Sequence, residues 1–341
     1  MAQFQFGLVV RGQYPAKDDP VQRFNETIAM AKRANALGFD SITKTSHYSS
    51  HPFQMLQQVP LLARFTAEAP NMRLNAGIVL LALPTPLDVA ENFAAIDVMS
   101  GGKLIFGCAL GYREVEFKAF GVPMAERVKR FEQNLVAVKR LWTEEKVSMK
   151  AGHFELDEAS CLPQPVQKPH PPIWIGANAD AAIERAARLG DCWYINPHQA
   201  VATIDRQMDL YKRALDKAGK PFPSELPMRR ELFVARTRQE AMRLCAPYLG
   251  AKYAAYAQWG QDKNMAADDN NLNQAFEELA GDRFIIGSPD EVAAQILAIH
   301  RKTGVNHLVM SIEWAGMPQS LVADTMQMIA EEVRPKVRQG M

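Results

Sequence analysis

The 341-residue sequence holds only four cysteines, Cys108, Cys161, Cys192 and Cys245, far apart, with no CxxC pair and no nearby histidine at a spacing that suits zinc. A disulfide framework and a thiolate metal centre are excluded on that count, and the thiols are expected to be reduced and mostly buried. An excess of one charge is missing too: 39 Lys+Arg face 38 Asp+Glu, a formal net charge of +1. A nucleic-acid binder should carry a basic excess, so that class of partner is set aside. No apolar run approaches the roughly 20 residues that cross a bilayer. The start, Met1-Ala2-Gln3-Phe4-Gln5-Phe6, lacks a basic stretch followed by an apolar one. The expectation is a soluble, cytoplasmic protein with no membrane partner. GxGxxG, Walker, GxSxG and HExxH signatures are absent as well, which disfavours a Rossmann dinucleotide site, a P-loop, a hydrolase elbow and a zinc-protease helix.

What is present is an ordinary globular composition, 48% apolar and 23% charged. Eight short segments rich in β-branched and aromatic residues follow one another, at 4–10, 40–44, 74–81, 104–110, 172–176, 192–195, 231–236 and 307–312. Between them run stretches of helical period, such as Phe24, Ile28, Ala31 and Leu37 closed by Gly38, and Val128, Phe131, Leu135, Val138 and Leu141. Ser288-Pro289-Asp290-Glu291 reads as a capping box opening a helix that stops at Gly304. Eight strands alternating with helices predict an α/β fold, a (β/α)8 TIM barrel forming one domain over residues 1–341, rather than an open doubly wound sheet. Two connections are longer than a plain βα unit needs. One follows strand four and reads as a β-hairpin turning near Gly152. The other, 239–282, follows strand seven and contains the polar stretch 261–271 with little to bury; a mobile lid and a plain surface insertion fit it equally.

In such a barrel, chemistry sits at the C-terminal ends of the strands. Those ends carry Arg11, Thr45-Ser46-His47-Tyr48, Gly111-Tyr112-Arg113, Asn196, Arg236 and Glu313-Trp314. Strand five runs into Gly176-Ala177-Asn178-Ala179-Asp180 and then an Ala-rich helix, whose small residues leave backbone N–H groups open to a phosphate. His47, just beyond strand two, is the candidate for moving a proton. His153, His170 and His198 read as structural. Phe53, Met55, Trp193, Tyr194 and Trp314 suit an aromatic pocket or simple packing.

Several stretches together resemble the bacterial luciferase-like family of flavin-dependent oxidoreductases. They are Ser100-Gly-Gly-Lys-Leu-Ile-Phe-Gly107 with Gly111 to Val122, Pro171-Pro-Ile-Trp-Ile-Gly176 with Ala186 to Trp193, Arg127 through Trp142, and Ile286 to Val292. The resemblance implies a homodimeric barrel using reduced FMN or the deazaflavin coenzyme F-420. It places His47 near the flavin reaction centre, although the acidic neighbour usual in that motif is Ser46 here. It places Gly77-Ile78 at a non-proline cis peptide behind the flavin ring. It also implies that Leu110 stands where luciferases carry a phosphate-binding arginine. The phosphate is then left to the backbone of Gly176, Ala177, Asn178 and Ala179, to the Asn178 side chain, and to Tyr112 or Arg113.

The function that follows is a monooxygenase in which reduced FMN and O2 oxygenate a small organic substrate through a C4a-peroxyflavin. His47 manages a proton and Tyr112 positions flavin or substrate. Since no NAD(P)H motif is visible, a separate NAD(P)H:flavin reductase is the implied partner. The alternatives are hydride transfer with coenzyme F-420 and a flavin-binding protein without turnover.

Overall fold

Strands buried on both faces read as unbroken runs of β-branched and aromatic residues, because helices cover the outer face and the barrel lumen covers the inner one. The computed structural model describes residues 3–272 and 274–341; Met1, Ala2 and Asn273 lie outside the described residues, so the expectations for the chain start and for 239–282 are compared without them. Its eight barrel strands are Gln5–Val10 (β1), Ser41–Lys44 (β2), Arg73–Leu80 (β3), Leu104–Ala109 (β4), Ile173–Ala177 (β5), Cys192–Ile195 (β6), Pro227–Val234 (β7) and His307–Ser311 (β8). They pair in parallel in the order β6-β5-β4-β3-β2-β1-β8-β7, and a single register pair, Ile195 with Met228, closes β6 onto β7. The result is a closed (β/α)8 barrel.

Strand β7 departs from its expected range, beginning four residues earlier and ending at Val234. Its first half, Pro227 to Glu231, pairs with β8, while Leu232 to Val234 pair with an added strand, Ile285–Gly287. The two arginines and the glutamate in this run hide it from a reading that equates buried strands with apolar ones. The alternation of side chains turns Arg229 and Glu231 inward and Arg230 outward. Arg236 consequently lies beyond the strand, exposed and paired with Glu332, away from the barrel mouth.

Local chemistry explains the element ends. The capping box at Ser288 and Glu291 forms, with both reciprocal bonds present, and Gly304 ends that helix in the left-handed region at φ 77°. Between β4 and β5, helix Arg127–Thr143 is followed by an antiparallel pair, Val147–Ala151 with Phe154–Ala159, turning at Gly152. Between β7 and β8 stand helix Arg238–Gln258, two 3₁₀ turns and helix Phe276–Arg283. The stretch 261–271 buries more than its composition announces: Gln261, Met265, Ala266 and Asp269 are all buried. Asp269 accounts for part of this, pairing with Arg283 and accepting the Ala200 N–H at 2.6 Å. All four cysteines are buried and free. Among the described residues no helix is long and apolar enough to cross a membrane.

Candidate active site

A cavity of about 330 Å³ occupies the C-terminal mouth of the barrel. His47, Gly77, Ile78, Tyr112 and Gly176 to Ala179 all line it, so most residues singled out in the sequence converge on one space. Tyr256, Gln261, Lys263, Asn264 and Met265 reach it from the connection after β7. That connection therefore covers the cavity.

The position of His47 is set by a residue 69 positions away in sequence. Glu116, buried in the short helix Glu114–Ala119 after β4, places Oε1 3.0 Å from His47 Nδ1. The same oxygen accepts the Tyr48 backbone N–H at 2.9 Å and Arg113 Nη1 at 3.3 Å. An oxygen already accepting N–H groups takes the Nδ1 proton as a further donor, which leaves Nε2 as the basic nitrogen of the neutral ring. The acidic partner missing at Ser46 is thus supplied from a different strand end. The imidazole is boxed by aromatic rings, with Trp259 at 5.6 Å, Tyr112 at 6.1 Å and Tyr256 at 6.2 Å between centroids.

Arg113 does not line the cavity, contrary to its expected cofactor contact. Its guanidinium donates to the carbonyls of Tyr48 at 2.8 Å and Ser49 at 3.1 Å and stacks 4.0 Å from the centroid of Trp259. It is a clamp joining the loop after β2 to the end of helix Arg238–Gln258. One cation that does reach the cavity is Arg127, at the start of helix Arg127–Thr143, held among the described residues by Met124 Sδ and, at 3.5 Å, Asn264 Oδ1. Lys263 joins it at the rim. Among the described residues neither cation has an acidic partner.

The bed of the cavity is built from small residues. The Gly77–Ile78 peptide is cis, and the β3–β4 register shifts between Ala76 and Val79 at that point. A Cβ on Gly77 would fall 2.5 Å from Thr43 Cγ2, so that position admits no side chain. At Gly176 a Cβ would meet Ala109 at 3.4 Å and Ile78 at 3.6 Å, and anything longer would enter the cavity. Asn178 is held through its carbonyl, which accepts Gln199 Nε2 at 3.1 Å and Gln207 Nε2 at 2.8 Å. Among the described residues the Tyr112 hydroxyl is buried with no hydrogen-bond partner, and burial holds the phenol well above its usual pKa, so it stays a neutral donor. An orphaned donor and a cradle that only glycine leaves open suit a flat, acceptor-bearing ring such as a flavin.

Beneath the cavity lies a buried charge cluster. Glu231 Oε1 pairs with Lys252 and, at 3.5 Å, with Arg11, while Oε2 accepts Trp314 Nε1 at 2.6 Å. Burial opposes its ionisation, yet Lys252, Arg11 and Arg229 hold the carboxyl down to about 2. His198 lines the cavity and meets Tyr253 Oη at 3.2 Å. Burial, reinforced by Lys252 and Arg229, pushes it well below the usual histidine value, so it is neutral.

The family model described as luciferase-like monooxygenase matches residues 4–307. The chain belongs to that family. An FMNH2-dependent dimethylsulfone monooxygenase of Pseudomonas putida is 28% identical over 65% of this chain and 65% of its own length, so the match spans just under two thirds of that enzyme. An F420-dependent glucose-6-phosphate dehydrogenase of Amycolatopsis mediterranei is 26% identical over 92% of this chain and 94% of its own. The monooxygenase RslO1 of Streptomyces bottropensis superposes with a TM-score of 0.83 at 28% identity, covering 97% and 99% of the two chains. Family members therefore include both FMN and F-420 enzymes.

Of the aromatic candidates, only Tyr194 lines the cavity. Trp193 points outward and donates to the Ala177 carbonyl at 3.0 Å, and Trp314 is spent on Glu231. Phe53 packs edge-on against Trp259 at 5.9 Å. Glu116, Arg127, His198, Arg229, Tyr256 and Trp259 were not legible as a set. Arg127 alone had a signal, a cation at the first position of an amphipathic helix; the rest are brought together by the tertiary fold.

Proposed function

We propose that the protein is the oxygenase component of a two-component system, oxygenating a small organic substrate with reduced FMN and O2. The observation that carries this reading is that the Gly77 and Gly176 bed, Tyr112 and the Glu116-bound His47 all line one cavity. Bound reduced FMN supplies two electrons to O2, so that one oxygen atom enters the substrate and the other leaves as water. Gly77, Ile78 and Gly176 would bed the ring, and Tyr112 Oη would donate to one of its acceptors. Arg127, Lys263 and the backbone from Ala177 to Ala179 would hold the phosphate, replacing the arginine that Leu110 lacks. Glu116 fixes the His47 tautomer so that Nε2 exchanges a proton with the reacting oxygen or the substrate. Tyr256, Gln261 and Met265 roof the site, which excludes water and limits loss of reducing equivalents as peroxide.

No NAD(P)H motif is present, so an NAD(P)H:flavin reductase would deliver the reduced cofactor. The enzyme from Amycolatopsis mediterranei matches over more of this chain than the dimethylsulfone monooxygenase does. That supports one second reading, hydride transfer with coenzyme F-420, in which His47 would take the proton of an alcohol. The test supplies an unrelated flavin reductase, NADH, FMN and 18O2 to the protein with a panel of small sulfones, ketones and organic acids. Incorporation of one labelled atom into product is expected. Hydride transfer from reduced F-420 with no labelled product from any substrate would overturn the reading.

A further inference from the structure

The cavity floor carries a cation without an ion-pair partner of its own among the described residues. Arg229 projects inward from β7 and lines the cavity, and its Nε donates to Ser311 Oγ at 3.0 Å. Among the described residues no carboxylate pairs with it. Glu231 acts on it electrostatically without an ion-pair contact, and its other titratable neighbours are neutral or positive. Tyr194 of β6 is kept a neutral phenol, its pKa pushed up to about 12 by burial, and His198 is neutral as well. Arg11 of β1 is a second guanidinium, and the nearby Lys252 is pushed well below its usual value by burial and by Arg11. The one anion here, Glu231, is already shared by Arg11, Lys252 and Trp314. Glu313, just beyond β8, has its pKa raised by burial and accepts Gln319 Nε2 at 2.8 Å; it makes no ion pair with Arg229.

The balance can be drawn without deciding the state of Lys252. Guanidinium groups stay protonated in proteins, so Arg11 and Arg229 leave at least one positive charge over Glu231. Burial lowers the Arg229 pKa and Arg11 lowers it further, and the opposing pull of Glu231 does not reverse the shift. Arg230, the next residue, is the contrast: it faces outward, and its Nη1 is taken up by backbone carbonyls, that of Gln199 at 2.8 Å among them. On the cavity floor Arg229 presents both Nη atoms unclaimed among the described residues, the geometry that suits a bidentate oxyanion.

We propose that Arg229 anchors an oxyanion subsite in the cavity floor and that the substrate is a small organic acid whose carboxylate docks on it. The word substrate rests on the oxygenase reading above; the anion site itself does not. The same charge could serve the anionic ring of a reduced flavin, and the experiment separates the two sources.

Calorimetric titration of the full chain, first without flavin and then with FMN, compares benzoate with benzamide and acetate with acetamide. The acids should bind at least about tenfold more tightly than the amides, the range a charge-assisted pair supplies. Arg229→Gln should erase that preference, and Arg229→Lys, which keeps the charge and loses the fork, should retain part of it. Thermal melting checks folding: removing an unpartnered buried charge should leave Tm unchanged or higher, and the lysine variant carries the test should the glutamine variant fail to fold. Equal binding of acid and amide by the wild type, or an acid preference surviving in Arg229→Gln, would overturn the proposal. So would weakened reduced-FMN binding in Arg229→Gln with the acid preference intact, which would assign the guanidinium to the flavin. An acid preference that follows Arg229 in a protein that binds no flavin would sink the oxygenase reading and leave the anion site standing.

Discussion

His47 owes its chemistry to Glu116. With Nδ1 pinned at 3.0 Å, only Nε2 is left for a ligand, and loss of the carboxylate frees the ring to flip or rotate. His47→Ala should lower turnover by roughly 10² to 10⁴, the usual range for a general acid–base group, with FMN affinity within about twofold of wild type. Unchanged turnover would remove His47 from the mechanism. Glu116→Gln, a positioning change, should lower kcat and shift the pH profile while KM stays near its wild-type value. At the same strand end, Lys44 is fully buried, donating to the carbonyls of Arg11 at 3.0 Å and Thr45 at 2.9 Å. Burial, with Arg11 adding to it, lowers its pKa from 10.5 to about 7. Between those two values the unfolded chain holds a proton that the folded chain does not, so stability rises with pH across that window, by up to about 1.4 kcal/mol per pH unit. Denaturant unfolding from pH 7 to 10 should show this slope in the wild type and lack it in Lys44→Met. A slope that persists in the variant would assign it to another group.

At the scale of elements, the connection after β7 meets the loop after β2 through the rings of His47 and Phe53 on Trp259, and Arg113, which follows β4, clamps the two by stacking on Trp259 while donating to the Tyr48 and Ser49 carbonyls. The roof is fastened a second time by Asp269, held by Arg283 and by the Ala200 N–H. Asp269→Ala leaves Arg283 buried without its partner, a change that costs about 3 to 5 kcal/mol where burial is complete. Cleavage by a protease within 259–283 should become faster, and more of the reducing equivalents should appear as hydrogen peroxide. Coupling and cleavage rates equal to wild type would show that this contact does not hold the roof. The eight strands were readable from the sequence because their apolar runs are bounded by turn residues; His47, Tyr112 and Gly176, taken from strand ends, and Gly77, taken from the family resemblance, all line the cavity. Strand β7 was misplaced because Arg229, Arg230 and Glu231 sit inside it for electrostatic reasons that no hydropathy pattern carries. Arg113 was misjudged because sequence gives the strand end but not the direction of a long side chain.

Across the whole molecule the barrel has one thin seam, the single register pair between β6 and β7. Arg230 stitches it from outside, its Nη1 donating to the carbonyls of Pro197 at 3.2 Å and Gln199 at 2.8 Å in the loop after β6. Amide exchange should therefore open β6 before β1, which is paired along both edges. Arg230→Met should widen that gap, since those carbonyls are left without a donor; identical exchange in β6 and β1 would contradict this view of the seam. The account as a whole rests on the closed barrel holding a flavin at its mouth, with FMN preferred over the deazaflavin. Anaerobic equilibrium titration of the purified protein with reduced FMN and, separately, with reduced F-420 tests that most directly. The account predicts saturable binding of reduced FMN at micromolar concentration or below, and binding of F-420 at least about tenfold weaker. Preference for F-420, or no binding of either, would contradict it.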